Sequence, residues 1–376
     1  MGKKKTKLNM NQEFQKRLAT YVAAVKDRGS HMLGYPISQD FDYSELYPLL
    51  AYPLNNLGDP LVESTYDLNS RSIEREVVQF FCDLFKAPKD NSWGYVTNGG
   101  SEGNLYGLYV AREVYVQGIV YYSEHTHYSV QKNISLLGMP SIMIRSRDNG
   151  EIDYDDLKDA LHMHRDRPAI IVANIGTTMT EAKDDITKIK QVLKNSAIRN
   201  YYIHCDAALA GTYLALLEKS PGFDFSFGAD SIAISGHKFI GSPIPCGVVL
   251  VKKNYKDRIG KVIPYIGTAD TTITGSRNGH APVFLWYAIN RFGREGLKAR
   301  ALASLELAQY LTEKLKEIGV DAWRNENAIT VVFPQISDEL CTKWQLASDS
   351  GRTHIICMPG VTKEKIDEFL KDLKNA

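Results

Sequence analysis

Between residues 92 and 252, short apolar runs alternate with stretches of helical spacing, and this rhythm restricts the fold more than any other feature of the chain. The runs fall at residues 93–97, 118–122, 141–145, 169–174, 201–206, 231–235 and 247–251. Helical patterns at 102–116, 127–137, 153–165 and 184–196 separate most of them. Strands joined by helices run parallel, and a parallel sheet needs both faces covered. The pattern therefore predicts an α/β domain built on a mostly parallel seven-stranded sheet. The last two runs lie too close in sequence for a helical crossover, which predicts one antiparallel edge.

The rest of the chain has a different texture. A long helix is expected at about 294–318, a strand at 328–333, a helix around 337–347, a strand near 354–358 and a last helix after Thr362. These make a small α+β domain. Near the start, Phe14, Leu18, Tyr21, Val22 and Val25 recur at helical spacing within residues 10–29. The Tyr- and Pro-rich stretch 35–66 reads as irregular, and long ordered loops are usually functional or packed on a partner. The expected division is an N-terminal segment 1–66, a large domain 67–290 and a small domain 291–376.

A net charge of +1 leaves no electrostatic footprint for nucleic acid. No apolar run approaches a membrane span. Lys3, Lys4, Lys5 and Lys7 are followed by no apolar stretch, which argues against a secretory signal. Met1-Gly2 with Thr6 formally matches a loose myristoylation pattern, but the segment reads as a frayed, solvated tail. Five scattered cysteines without a Cys-x-x-Cys pair fit a reducing, cytoplasmic compartment.

Four local patterns carry chemistry. Ser235-Gly236-His237-Lys238 follows an apolar strand, where open α/β sheets place their ligands. A lysine there forms a Schiff base once burial or nearby positive charge lowers its pKa; otherwise it is an ordinary turn lysine. His204-Cys205-Asp206 ends another strand, and a buried carboxylate needs a partner. Neighbouring strand residues point to opposite faces, so the trio does not converge on a metal, and no metal site is expected. Thr97 to Asn104 (TNGGSEGN) joins strand to helix, with glycines and a helix N-terminus suited to phosphate. It fits neither nucleotide-binding glycine motif, and a plain glycine turn is its simpler explanation. Last, His125-Thr126-His127-Tyr128-Ser129 puts imidazoles beside a strand end, where they can stack on a ring or move protons.

The order of these patterns resembles the group II pyridoxal-phosphate decarboxylases. The resemblance runs from Gly34-Tyr35-Pro36 to Met358-Pro359. It rests on Trp93 to Gly100, His127-Tyr128-Ser129-Val130, Gly150-Glu151-Ile152-Asp153, Asn174 to Thr178, Ser235 to Lys238, Gly241-Ser242-Pro243 and Gly275 to His280. It implies the aminotransferase-like fold type I and pyridoxal 5'-phosphate as cofactor, covalently held by Lys238. Asp206 would pair with the pyridine nitrogen, and His204 in the same strand would also bind the cofactor. His127 would stack on the ring and Ala208 lie beneath. Gly100, Ser101, Ser235 and His237 would hold the phosphate, and Thr178 would lie at the phenolic edge. Tyr265 and His127 are the expected candidates for returning a proton to Cα. Tyr35, Asn56 and Asp59 would meet the substrate. A homodimer with shared active sites, wrapped by the N-terminal segment, is also implied.

The short bacterial histidine decarboxylases and the plant serine decarboxylases are the most similar members. Asn55 to Pro60, Trp344-Gln345-Leu346 and Met358-Pro359 resemble the serine enzymes, and Ala322-Trp323-Arg324-Asn325 the histidine enzymes. The expected substrate is thus L-histidine or L-serine, the two evenly balanced. Two rivals share the fold. An aminotransferase would need an arginine for the substrate carboxylate, Arg324 or Arg352, and a cysteine desulfurase would need an activated, mobile cysteine.

Overall fold

The structure, a computed structural model, describes residues 11–63, 66–219, 221–259, 261–263 and 268–376. Helix α1 (Gln12–Ser30) precedes a 3-10 helix at Ser44–Ala51 and α2 (Arg71–Leu84). There follow β1 (Ser92–Thr97), α3 (Gly100–Val114), β2 (Ile119–Ser123), α4 (Tyr128–Leu137) and β3 (Ser141–Ile144). Next come α5 (Tyr154–Met163), β4 (Ala169–Asn174), α6 (Ile186–Asn195), β5 (Tyr201–Asp206) and the short α7 (Gly211–Leu214). Strands β6 (Ser231–Ser235) and β7 (Gly247–Lys252), helix α8 (Lys253–Lys256) and a hairpin of β8 (Lys261–Ile263) and β9 (Thr268–Asp270) precede the long α9 (His280–Glu317). The chain ends with β10 (Thr330–Pro334), α10 (Asp338–Trp344), β11 (Ser348–Asp349), β12 (Arg352–Ile356) and α11 (Lys363–Asn375).

The seven predicted strands form one sheet in the order β1-β7-β6-β5-β4-β2-β3. Strand β7 runs antiparallel to both β6 and β1, and the other pairs are parallel. The antiparallel strand is therefore one place inside the edge, which corrects the sequence expectation. The tight return after β6 reverses β7, and β7 is buried from Gly247 to Val251. Its outer side thus needs a further strand, which β1 supplies.

Successive strand residues feed opposite faces. Ile171, Ile203 and Ile234 pack under α2, α5, α6 and α9, whereas Val172, Tyr202 and Ala233 pack under α3 and α4. A separate cluster around Trp344, Phe333, Ile355 and Phe369 fills the small domain, whose sheet has the order β10-β12-β11. Side chains start several helices: His127 caps α4, Asp153 caps α5 and Asp185 caps α6, each accepting an otherwise free backbone N–H. Gly293 (φ 61°, ψ 179°) breaks α9 into two limbs. The second limb is the predicted helix from 294. The first, at 280–292, buries Phe284 and Leu285 against the large domain. Among the described residues, no helix is long and apolar enough to cross a membrane.

Candidate active site

Strands β1, β2, β4, β5 and β6 all end on one side of the sheet, and there a cavity of about 670 Å3 opens. The sheet, the start of α3, the small domain and the segment around Gly34 enclose it. Of the sequence-predicted residues, Lys238, Asp206, His127, Gly100, Ser101, Ala208, Ser235, His237, Thr178 and Tyr35 line it. They come together because each sits at or just past a strand's carboxyl end, except Tyr35, which reaches the rim from the N-terminal segment.

Lys238 is half-buried. Burial holds its amine below the usual lysine range, and the Asp206 carboxylate opposes that shift. Asp206 is buried, its Oδ1 accepting the Ala208 N–H at 3.2 Å and its Oδ2 the Asn104 Nδ2 at 2.8 Å. Burial also lowers the pKa of His127, against the pull of Asp206, and Lys238 and Lys132 lower it further. The ring is therefore neutral near pH 7. Its Nδ1 accepts the Ser129 N–H at 3.3 Å, so the proton resides on Nε2.

The phosphate-type turn is built as the glycines suggest. Gly99 has φ 146°, and α3 begins with no side-chain cap, which leaves backbone N–H groups facing the cavity. A Cβ on Gly100 would come within 2.7 Å of Ser235 Oγ and 3.0 Å of Ala208 Cβ. His237 is fixed by Nδ1 at 2.9 Å from the Cys246 carbonyl, and burial lowers its pKa.

Three expected residues, His204, Asn56 and Asp59, do not line the cavity. His204 does not line the cavity; it lies fully buried behind Asp206, between Ser231 Oγ (2.7 Å) and Asn104 Oδ1 (3.0 Å). Asn56 and Asp59 are buried elsewhere, their polar atoms already engaged. Asn56 donates to Glu74 Oε2 at 2.8 Å, and Asp59 accepts Trp93 Nε1 at 3.1 Å and pairs with Lys256 at 3.2 Å. A substrate contact by either finds no support in this geometry. Tyr265 lies outside the described residues.

The sequence reading missed Asn104, Tyr128 and Gly176 as lining residues, and His354 and Ile356 from β12. Asn104 ends the glycine block and sits one turn into α3, a signal that was legible. His354 carried none. Its ring nitrogens lie 3.1 Å from the Met179 and Gly34 carbonyls, joining the small domain to the Gly-Thr-Thr turn and to the N-terminal segment.

A buried carboxylate suits a pyridinium, an uncapped helix start suits a phosphate, and a lysine of lowered pKa suits a carbonyl carbon. The residues present fit pyridoxal phosphate, and the fold and cavity together define an enzyme of that cofactor. The conserved domain of the pyridoxal-dependent decarboxylases matches residues 65–334. The chain is 48% identical to histidine decarboxylase of Mesorhizobium japonicum, over 96% of this chain and 98% of that protein. It is 42% identical to serine decarboxylase 1 of Oryza sativa subsp. japonica, over 95% of this chain and 74% of that protein. The crystal structure of L-methionine decarboxylase from Streptomyces sp.590 bound to L-methionine methyl ester superposes with a TM-score of 0.89 at 26% identity. That alignment covers 97% of this chain and 95% of that one. The chain belongs to the pyridoxal-dependent decarboxylase family and is a carboxy-lyase that uses pyridoxal phosphate.

Proposed function

We propose that the enzyme removes the α-carboxyl group of L-histidine, releasing carbon dioxide and histamine. The reaction rests on one observation: Lys238, Asp206 and His127 line a single cavity that, among the described residues, no arginine and no cysteine lines. Arg324 is spent on the Ala328 carbonyl and Gln309, and Arg352 on the Asp148 carbonyl, so the aminotransferase reading lacks its carboxylate clamp. Cys82, Cys205, Cys246 and Cys357 are buried, which raises their thiol pKa values, and the half-buried Cys341 sits on α10 and does not line the cavity, so the nucleophile a desulfurase needs is not at the site. A carboxylate held by no guanidinium loses little binding energy on leaving as neutral carbon dioxide.

When bound, pyridoxal phosphate supplies the electron sink for the pair left at Cα. Lys238 would hold it through an amine kept nucleophilic by burial. Gly100, Ser101, Ser235 and His237 would hold the phosphate, Asp206 would keep the ring nitrogen protonated, and Ala208 and His127 would hold the ring. Thr178 orients the phenolic edge. His127, protonated at Nε2, is placed to return a proton to Cα, and Tyr35 meets the substrate at the rim.

Histidine is favoured by the relatives at 45–48% identity. L-Serine is the second reading, favoured by the rice relative. Neither the Asn55–Pro60 stretch nor Trp323-Arg324-Asn325 lines the cavity, so the choice falls to Tyr35, Tyr128, Ala347, His354 and Ile356. A cytoplasmic homodimer is part of this reading. Helix α1 buries no residue and exposes Phe14, Leu18, Tyr21, Val22 and Val25, an apolar face suited to a second copy. The division at residues 66 and 290 belongs to it as well.

The test is a spectrum between roughly 300 and 500 nm with amine and carbon dioxide assays on L-histidine and L-serine. Histamine formation, with a cofactor band that Lys238→Ala abolishes, is expected. Ethanolamine alone would move the substrate to serine. Keto acid without carbon dioxide, or no band after reconstitution, would overturn the reading.

A further inference from the structure

Behind Asp206 runs a chain of three buried polar side chains. Asn104 Nδ2 donates to Asp206 Oδ2 at 2.8 Å, Asn104 Oδ1 lies 3.0 Å from His204 Nε2, and His204 Nδ1 lies 2.7 Å from Ser231 Oγ. Asn104, His204 and Ser231 are each no more than 1% exposed. None of them carries a role in the reaction described above.

The direction of every link is forced. A carboxylate only accepts, so Asn104 must turn its amide nitrogen to Asp206 and its oxygen to His204. His204 Nε2 must then carry the proton and donate, which leaves Nδ1 a bare acceptor, and the Ser231 hydroxyl fills it. The scheme needs a neutral imidazole, and burial provides one, pushing the His204 pKa down to about 4. Seen from Asp206, the chain ends in a donor that cannot rotate away.

The backbone is shaped to make room for it. A Cβ on Gly107 would approach His204 Nδ1 to 2.3 Å, and one on Gly103 would approach Ala233 Cβ to 2.8 Å. These two glycines, one turn apart on α3, let the helix lie close on β5 and β6, so that Asn104 reaches Asp206. A larger residue at either position would lift Asn104 out of range.

We propose that Asn104, oriented by His204 and Ser231, is a positioning residue that holds the Asp206 carboxylate in place and aimed at the cofactor's ring nitrogen. This rests on the reading of Asp206 given above. The group acts through Asp206, so its effect should be felt only by a ligand that has a ring nitrogen to pair with.

The test titrates the full-length apoprotein with pyridoxal phosphate and with its 1-deaza analogue, in which C–H replaces the ring nitrogen. Asn104→Ala should weaken pyridoxal phosphate binding roughly ten- to hundred-fold, the usual loss for a hydrogen bond to a charged group, and leave the deaza analogue within about twofold. His204→Phe keeps Asn104 but frees its amide to rotate. It gives the same selective loss in smaller measure, and serves if Asn104→Ala does not fold. His204→Gln, which retains a donor toward Asn104 Oδ1, should restore most of the affinity. Equal weakening of both ligands would overturn the proposal, leaving the chain as internal scaffolding. If the native protein itself binds both ligands equally, Asp206 does not pair with the ring nitrogen, and the underlying reading falls with the proposal.

Discussion

Glu74 is the residue whose loss the structure prices most directly. It is fully buried in the first turn of α2, and four donors converge on its carboxylate. Arg277 pairs with both oxygens, the Val96 N–H donates to Oε1 at 2.9 Å and Asn56 Nδ2 to Oε2 at 2.8 Å. Arg277 is itself buried, and the guanidinium of Arg71, also buried, lies close enough that Arg277 lowers its pKa, second only to burial. Glu74→Ala would leave the buried Arg277 guanidinium without its carboxylate, remove one of the two anions that Arg71 feels, and strand two further donors. Breaking a buried pair from one side costs about 3–5 kcal/mol. With an unfolding entropy of roughly 2.1 cal/mol/K per residue over 376 residues, each kcal/mol moves the midpoint by about 1.3 °C. Thermal unfolding of the apoprotein should therefore fall by about 4–6 °C. Replacing both partners, Glu74→Leu with Arg277→Met, removes the charges together and should recover most of the loss. A midpoint within about 1 °C of the native value for Glu74→Ala would refute the reasoning, since the network would then contribute nothing net.

Three further outcomes are expected. Because burial depresses the folded His204 pKa to about 4, below its ordinary 6.5, its contribution to stability is present above 6.5 and lost as pH falls toward 4. Denaturant midpoints of the apoprotein should fall across that window, and His204→Gln should flatten the dependence. Gly107→Ala puts a methyl into the His204 ring and should cost about 1–3 kcal/mol by chemical denaturation, although alanine favours a helix. Gly100→Ala crowds Ser235 and Ala208 in the Gly99–Gly100 turn and should weaken cofactor binding by at least roughly tenfold while leaving the apoprotein folded.

The alternation of apolar runs with helical spacing was enough for the sheet, because the periodicities of strand and helix are local properties of the chain. The cofactor side of the site was legible for a related reason. Lys238, Asp206, His127 and the Gly99–Gly100 turn each end a strand, and parallel strands bring their carboxyl ends together however the sheet is ordered. Register and pairing order are not local, which is why β7 was expected at the edge and lies one strand in. The first limb of α9 was missed because Gly293 breaks the helix, a conformation the spacing does not reveal.

What only the tertiary structure decided is the far side of the cavity and the shell behind Asp206. His354 and Ile356 reach the cavity from a strand more than two hundred residues from the glycine turn, and Tyr35 from the opposite end of the chain. Asn56 and Asp59 looked available in sequence, yet Glu74, Trp93 and Lys256 had already claimed their polar atoms. His204 and Asn104 are a hundred positions apart and meet only because α3 lies on β5. A sequence shows which side chains stand at strand ends. Which buried polar atoms remain free depends on partners brought in from anywhere along the chain, and only the folded packing determines them.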